Sequence, residues 1–184
     1  MCIRDRRNLP LGRALLVYLQ NKQMKNRLII EPLTQDKFAP FGDVIEARGD
    51  ADKLINRGYC KRFHDRAEID MQSGRVGISI FQGSPYELPL ALDMVERHPL
   101  GSQAFIPLSE SPYLVIVAGD QGGIPGRPLV FRPTTGQGVN YHRNVWHGVL
   151  TPIERESLFA VVDRIGEGEN LEEFWFDQPY VISG

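Results

Sequence analysis

Cysteine is almost missing from this 184-residue chain: Cys2 and Cys60 are the whole complement, and no C-x-x-C pair occurs. A disulfide framework is therefore excluded, a reduced compartment (the cytoplasm) is expected, and Cys60 reads as a small buried hydrophobe. Long apolar runs are missing too. The stretch Leu114 to Ala118 is about five residues, against the roughly 20 of a membrane-spanning helix, so no membrane partner is expected. Nor is there a surplus of either charge. With 21 Lys+Arg against 23 Asp+Glu the formal net is −2, which argues against a nucleic-acid binder. At 42% hydrophobic and 24% charged, the composition still supports a packed core and does not fit a disordered chain.

Helical signals are scarce. Thr34-Gln35-Asp36-Lys37-Phe38 opens on an N-cap residue, but Pro40 stops it. Asn170 to Phe174 offers another single turn. What recurs instead are breakers about every ten residues, among them Pro40-Phe41-Gly42, Ser73-Gly74, Pro99-Leu100-Gly101 and Gly136-Gln137-Gly138, with β-rich runs between them. Val76, Ile78 and Ile80 alternate in the manner of a half-buried strand. Pro112 to Ala118, Leu129 to Arg132, Gly138 to His142 and Leu158 to Asp163 are of the same kind. About ten short strands with few short helices predict an all-β domain, a closed β-barrel or a sandwich.

The charge is unevenly spread. Residues 1–23 carry Arg4, Arg6, Arg7, Arg13 and Lys22 against Asp5, a net of +4, which leaves −6 for residues 24–184. Arg13 interrupts the apolar stretch of the opening segment, and no small-x-small cleavage pattern follows, unlike a secretory signal. Residues 1–23 are expected to be a basic extension, non-native or disordered, and residues 24–184 a single domain.

Chemistry concentrates in two places. In Glu96-Arg97-His98-Pro99-Leu100-Gly101-Ser102-Gln103, strand alternation points Glu96 and His98 to one face, and the turn lets Gln103 return to it. In His142-Arg143-Asn144-Val145-Trp146-His147, the last residue starts a strand after a turn. A carboxylate, two imidazoles and an amide oxygen (Glu96, His98, His147, Gln103) make a mixed N/O site for a divalent first-row metal. Glu96 and His98 also read as solvated strand-edge groups. Arg62 and His64 share a face, as a carboxylate fork and a proton carrier or as a solvated surface pair. Arg97 should face outward into an ion pair. Of the alternating Tyr141 and His142 only one should enter a cavity, and Trp146 reads as core. The sequence does not decide between structural and cavity roles for Asp163-Arg164. Phe174-Trp175-Phe176 reads as a docking hydrophobe for the C-terminal segment.

The runs Glu96 to Pro107 and Gly136 to His147, in this order, resemble the ureidoglycolate lyase family of allantoin degradation, with support from Phe38 to Ile45, Arg62-Phe63-His64-Asp65 and Asp163-Arg164. The resemblance covers about Met24 to Glu173. It implies a cupin-like β-barrel, usually a homodimer, that cleaves ureidoglycolate to glyoxylate and urea. In the cupin metal slots this chain places Glu96, His98, Gln103 and His147; nickel is favoured, and manganese or zinc suit the same donors. No organic cofactor is implied. His98, His147 and His64 are the candidate catalytic residues, and Arg62, Tyr141 and His142 the candidate substrate contacts. Some members read Trp-His-His-Pro where this chain has Trp146-His147-Gly148-Val149, so a role for that second His does not transfer. Other classes are a non-catalytic cupin binding glyoxylate or another small hydroxy or keto acid, and a different cupin isomerase or decarboxylase.

Overall fold

A computed structural model describes residues 26–184; the expectation for residues 1–23 lies outside the described residues. Strands dominate. They are β1 (Arg27–Pro32), β2 (Gly42–Ile45), β3 (Lys53–Ile55), β4 (Cys60–Arg62), β5 (Arg75–Gly83), β6 (Leu90–Arg97), β7 (Gln103–Pro107), β8 (Tyr113–Ala118), β9 (Leu129–Arg132), β10 (Gly138–Tyr141), β11 (Trp146–His147), β12 (Thr151–Pro152), β13 (Ser157–Ile165) and β14 (Glu172–Ser183). The lone α-helix among the described residues, α1 (Gln35–Phe38), starts where Thr34 accepts the Lys37 N–H on its side chain. It ends before Pro40, which cannot supply a helical N–H.

Six strands close on themselves in the order β11-β6-β14-β1-β9-β8, with β11 paired back onto β8. A five-stranded sheet, β2-β10-β7-β13-β5, packs against this ring, and β3 with β4 forms a separate hairpin. The strand-rich sequence and its scarcity of helix thus give the all-β barrel that the alternation predicts.

The wall shared by the two layers is β8, all six residues of which are buried. Period-two alternation divides them. Tyr113, Val115 and Val117 enter a core with Phe105, Val139, Tyr141, Phe159 and Val161 of the five-stranded sheet. Leu114 and Ile116 point the other way, into the ring, where they meet Leu28, Leu92, Val130 and Ile182. A strand buried on both faces reads as an unbroken apolar run, which is why this was the sequence's longest clear stretch. Close approach fixes β2 against β10: a Cβ on Gly42 would lie 1.9 Å from the Asn140 carbonyl oxygen, so only glycine fits.

One expectation is corrected. Asn170 to Phe174 is no helical turn; residues from Glu172 onward run as the long strand β14 along β6 and β1. Phe174 and Phe176 pack with the cluster of Val95, Ala118 and Trp146, while Trp175 between them is exposed. That in-out-in pattern is a strand's, and pairing with β6 outweighs the local helix preference of Leu-Glu-Glu. Cys60 is half-buried and free, rather than sealed in the core.

Candidate functional site

β11 is only two residues long, yet it joins both halves of the ring. His147 pairs with Glu96 of β6 and with Val117 of β8. Directly opposed residues of antiparallel strands project to the same face, so His147 and Glu96 enter the space between the layers beside Val117. Trp146 and Val95 therefore pack on the opposite side. The turn before β11 is held by Asn144, whose positive φ of 68° suits asparagine and whose N–H donates to the His98 carbonyl. The two segments singled out in the sequence are thereby tied together.

Glu96, His98 and His147 offer a carboxylate oxygen and two ring nitrogens that all lie within 4.8 Å of one another. The outer nitrogen of each imidazole faces a backbone carbonyl: His98 Nδ1 lies 2.6 Å from the Asn170 oxygen, and His147 Nδ1 lies 3.0 Å from that of Gly148. A carbonyl only accepts, so Nδ1 of each ring donates and Nε2 is left with a lone pair. Both Nε2 atoms are buried without a partner. Tyr141 stacks on His147 at 4.2 Å and 5° and fixes the plane of the ring.

The opposite layer contributes two more acceptors. Gln103 on β7 is cross-strand from Tyr141, is buried, and leaves Oε1 unpartnered. Asp163 on β13 follows Phe159 and Val161 on the interior face, and its Oδ1 is likewise buried and unpartnered. The sequence left Asp163 undecided; continuing the period-two alternation from Phe159 would have placed it inside.

Burial sets the ionisation here. It pushes the His147 imidazole down to about 3, helped by the neighbouring His98 and opposed by the Gly148 carbonyl. Burial also raises Glu96, against the pull of His98 and with the push of Glu173. The Asp163 carboxyl is raised by burial and eased by His98.

The other expected residues lie elsewhere. Arg62 and His64 do meet, at 2.9 Å, but on the exposed β3–β4 hairpin and its exit, where the His64 N–H donates to Asp52. His142 turns outward, with Nε2 3.3 Å from Asp43 Oδ2, so Tyr141 is the member of that pair that goes in. Arg97 points away from the cluster but is largely covered, ion-paired to Glu172 and Asp120 with its guanidinium over the buried Trp146. Asn170 was missed: its carbonyl orients His98, and its side chain accepts the Leu100 N–H. Contacts across some 70 residues leave no local signal.

A sequence model of the family described as ureidoglycolate lyase matches residues 25–183. The chain belongs to the ureidoglycolate lyase family. Curated relatives agree. A ureidoglycolate lyase of Chelativorans sp. (strain BNC1) is 60% identical over 158 residues, 85% of this chain and 96% of the relative. Proteins of the same name from Rhodobacter capsulatus (54% identical) and Rhizobium meliloti (ureidoglycolate lyase 2, 53%) match 86% and 84% of this chain, and 99% and 96% of their own lengths. The polar cluster is thus part of a ureidoglycolate lyase family barrel. Its donors also suit a divalent metal. Two lone-pair nitrogens with their tautomers fixed by carbonyls, and a carboxylate beside them, are a normal ligand set for first-row divalent ions.

The buried His147 gives a pH signature. Between about 3 and its ordinary 6.5 the unfolded chain binds a proton that the folded chain refuses. Stability is therefore lost as pH falls through that window, by about 2 kcal/mol at pH 5. The raised Glu96 works in the opposite direction and is common to wild type and variant. In urea titrations with chelator present, His147→Gln is expected to lose about 2 kcal/mol less than wild type between pH 7.5 and pH 5. Equal losses would contradict a neutral, buried imidazole.

Proposed function

We propose that this protein is a carbon–nitrogen lyase that cleaves ureidoglycolate to glyoxylate and urea in allantoin catabolism, with Glu96, His98 and His147 at the reacting end of the site. The convergence of these three side chains, two of them with buried unpartnered Nε2 atoms, carries the reading, and family membership supplies the substrate.

In ureidoglycolate one carbon bears a carboxylate, a hydroxyl and the ureido nitrogen. Removal of the hydroxyl proton lets the C–O bond become a carbonyl while the C–N bond breaks and the nitrogen takes a proton. No water is consumed. The lone pair on Nε2 of His98 or His147 can accept the hydroxyl proton. The Glu96 carboxyl, whose affinity for a proton burial raises, stands beside these nitrogens and can relay the proton to the departing nitrogen. Tyr141 keeps the His147 ring from turning. A divalent ion held by Glu96, His98 and His147, with Gln103 as a further oxygen donor, would supply Lewis acidity toward the 2-hydroxy carboxylate; nickel is favoured, with manganese or zinc as alternatives. The exposed Arg62 and His64 support a role in attracting an anionic substrate rather than in bond cleavage.

A homodimer is supported by the outer face of the five-stranded sheet. There β5 forms the edge, and Ile78 and Ile80 are 76% and 63% exposed. An apolar face on a long edge strand is a surface that a second copy would cover. Free Cys60 supports the cytoplasm.

Incubation with racemic ureidoglycolate is expected to release urea and glyoxylate one to one, from one enantiomer, without ammonia. Chelation should lower the rate and nickel should restore it. Ammonia release would indicate an amidohydrolase instead, and glyoxylate binding without turnover a sensor. If chelation and metal add-back change nothing, the Lewis-acid contribution is refuted. For the assembly, sedimentation velocity should show a dimer for wild type and a monomer for Ile78→Lys; a monomeric wild type would rule out the interface.

A further inference from the structure

Every unpartnered polar atom identified in the site is an acceptor: Nε2 of His98 and His147, Oε1 of Gln103 and Oδ1 of Asp163. They come from two layers. The imidazoles and Glu96 stand on β6, β11 and the turn between β6 and β7. Asp163 stands on β13, one residue past the Val162–Ala104 pair, and Gln103 is one residue past the same pair on β7. Phe159 and Val161 precede Asp163 on its face, and Phe105 follows Gln103 on the other strand; all three belong to the core between the layers. A buried acceptor left without a donor is destabilising, more so when charged, so the group that binds beside β13 must bring donors.

Ureidoglycolate carries donors of that kind at one end only. Its carboxylate has none, and its hydroxyl has a single proton bound for the base. The ureido end presents a planar row of N–H groups, the complement of a carboxylate in the way that a guanidinium is. Of the two acceptors on this side, Gln103 can turn its amide to show either atom, whereas an ionised Asp163 has only oxygen to offer. We propose that Asp163 is the specificity-determining residue for the ureido end, accepting its N–H groups and so aiming the carboxylate and hydroxyl at Glu96, His98 and His147. This rests on the ureidoglycolate reading. It adds an orientation of substrate across the two layers, and a reason why a 2-hydroxy acid without the ureido group would bind less well.

Two inert ligands separate the ends. N-carbamoylglycine keeps the ureido group and carboxylate but lacks the hydroxyl that must ionise; glycolate keeps the hydroxyl and carboxylate without the ureido group. In calorimetric titrations of the full-length protein, Asp163→Ala is expected to weaken N-carbamoylglycine roughly 10- to 100-fold, the scale of a charged hydrogen bond. Glycolate should be unchanged or tighter, because loss of a negative charge favours any anion. Asp163→Asn, which keeps one acceptor oxygen, should fall between wild type and Asp163→Ala for N-carbamoylglycine. A merely structural residue would move both ligands the same way, and a thermal melt of each variant checks the fold. Nickel affinity by competition should stay within about twofold of wild type.

The proposal is overturned if both ligands weaken together, if neither changes, or if nickel affinity falls in parallel, which would make Asp163 a metal ligand. A wild type that shows no binding of N-carbamoylglycine at millimolar concentration overturns it as well. Because N-carbamoylglycine does not react, these outcomes are read separately from wild-type turnover of ureidoglycolate, on which the parent reading stands or falls.

Discussion

A two-residue strand holds this molecule's chemistry in place. β11 fills the gap between β6 and β8, and by doing so closes the ring. Its pairing sets His147 opposite Glu96 on one side and Val117 on the other. A slip of one residue would turn His147 toward the ring's interior and bring Trp146 into the space between the layers. The register is held against that slip by packing on both faces: Trp146 beneath the Arg97 guanidinium and bonded to Asp120, His147 stacked on Tyr141.

Around that closure the interior is apolar, and this decides how the polar groups behave. Phe105, Val117, Phe159 and Val161 surround the cluster's end of the barrel with hydrocarbon. The His147 imidazole there stays neutral, because burial disfavours its charged form and the neighbouring His98 adds to the effect. Backbone carbonyls take the outward N–H of each ring, so both inward nitrogens become lone pairs. The apolar setting thus creates a cluster of ligand and base atoms, and the same setting makes a missing donor costly at Asp163.

Much of this could be read from the sequence where one rule governs. Alternation placed Glu96 and His98 on one face and divided Tyr141 from His142, because a strand's period of two is indifferent to tertiary context; Gln103, expected to return to the same face through the turn, instead faces them from the other sheet. Arg97 followed by the same rule. Alternation was not carried far enough at Asp163, two residues beyond Val161. It gave way to local propensity at Leu171-Glu172-Glu173, where pairing with β6 outweighed a helix-forming tripeptide. Arg62 and His64 were correctly read as neighbours, but sharing a strand face says nothing about which sheet the strand joins, and theirs is the exposed hairpin. Asn170 was beyond reach, since its partners lie at His98 and Leu100.

The tautomers of His98 and His147 are the central claim, since ligand and base roles alike need a lone pair on Nε2. Nitrogen-15 chemical shifts of the imidazoles, recorded at pH 8 with chelator present, read them directly. Nδ1 should be protonated and Nε2 bare in both rings. A proton on Nε2 of either ring, or an imidazolium at His147, would contradict this.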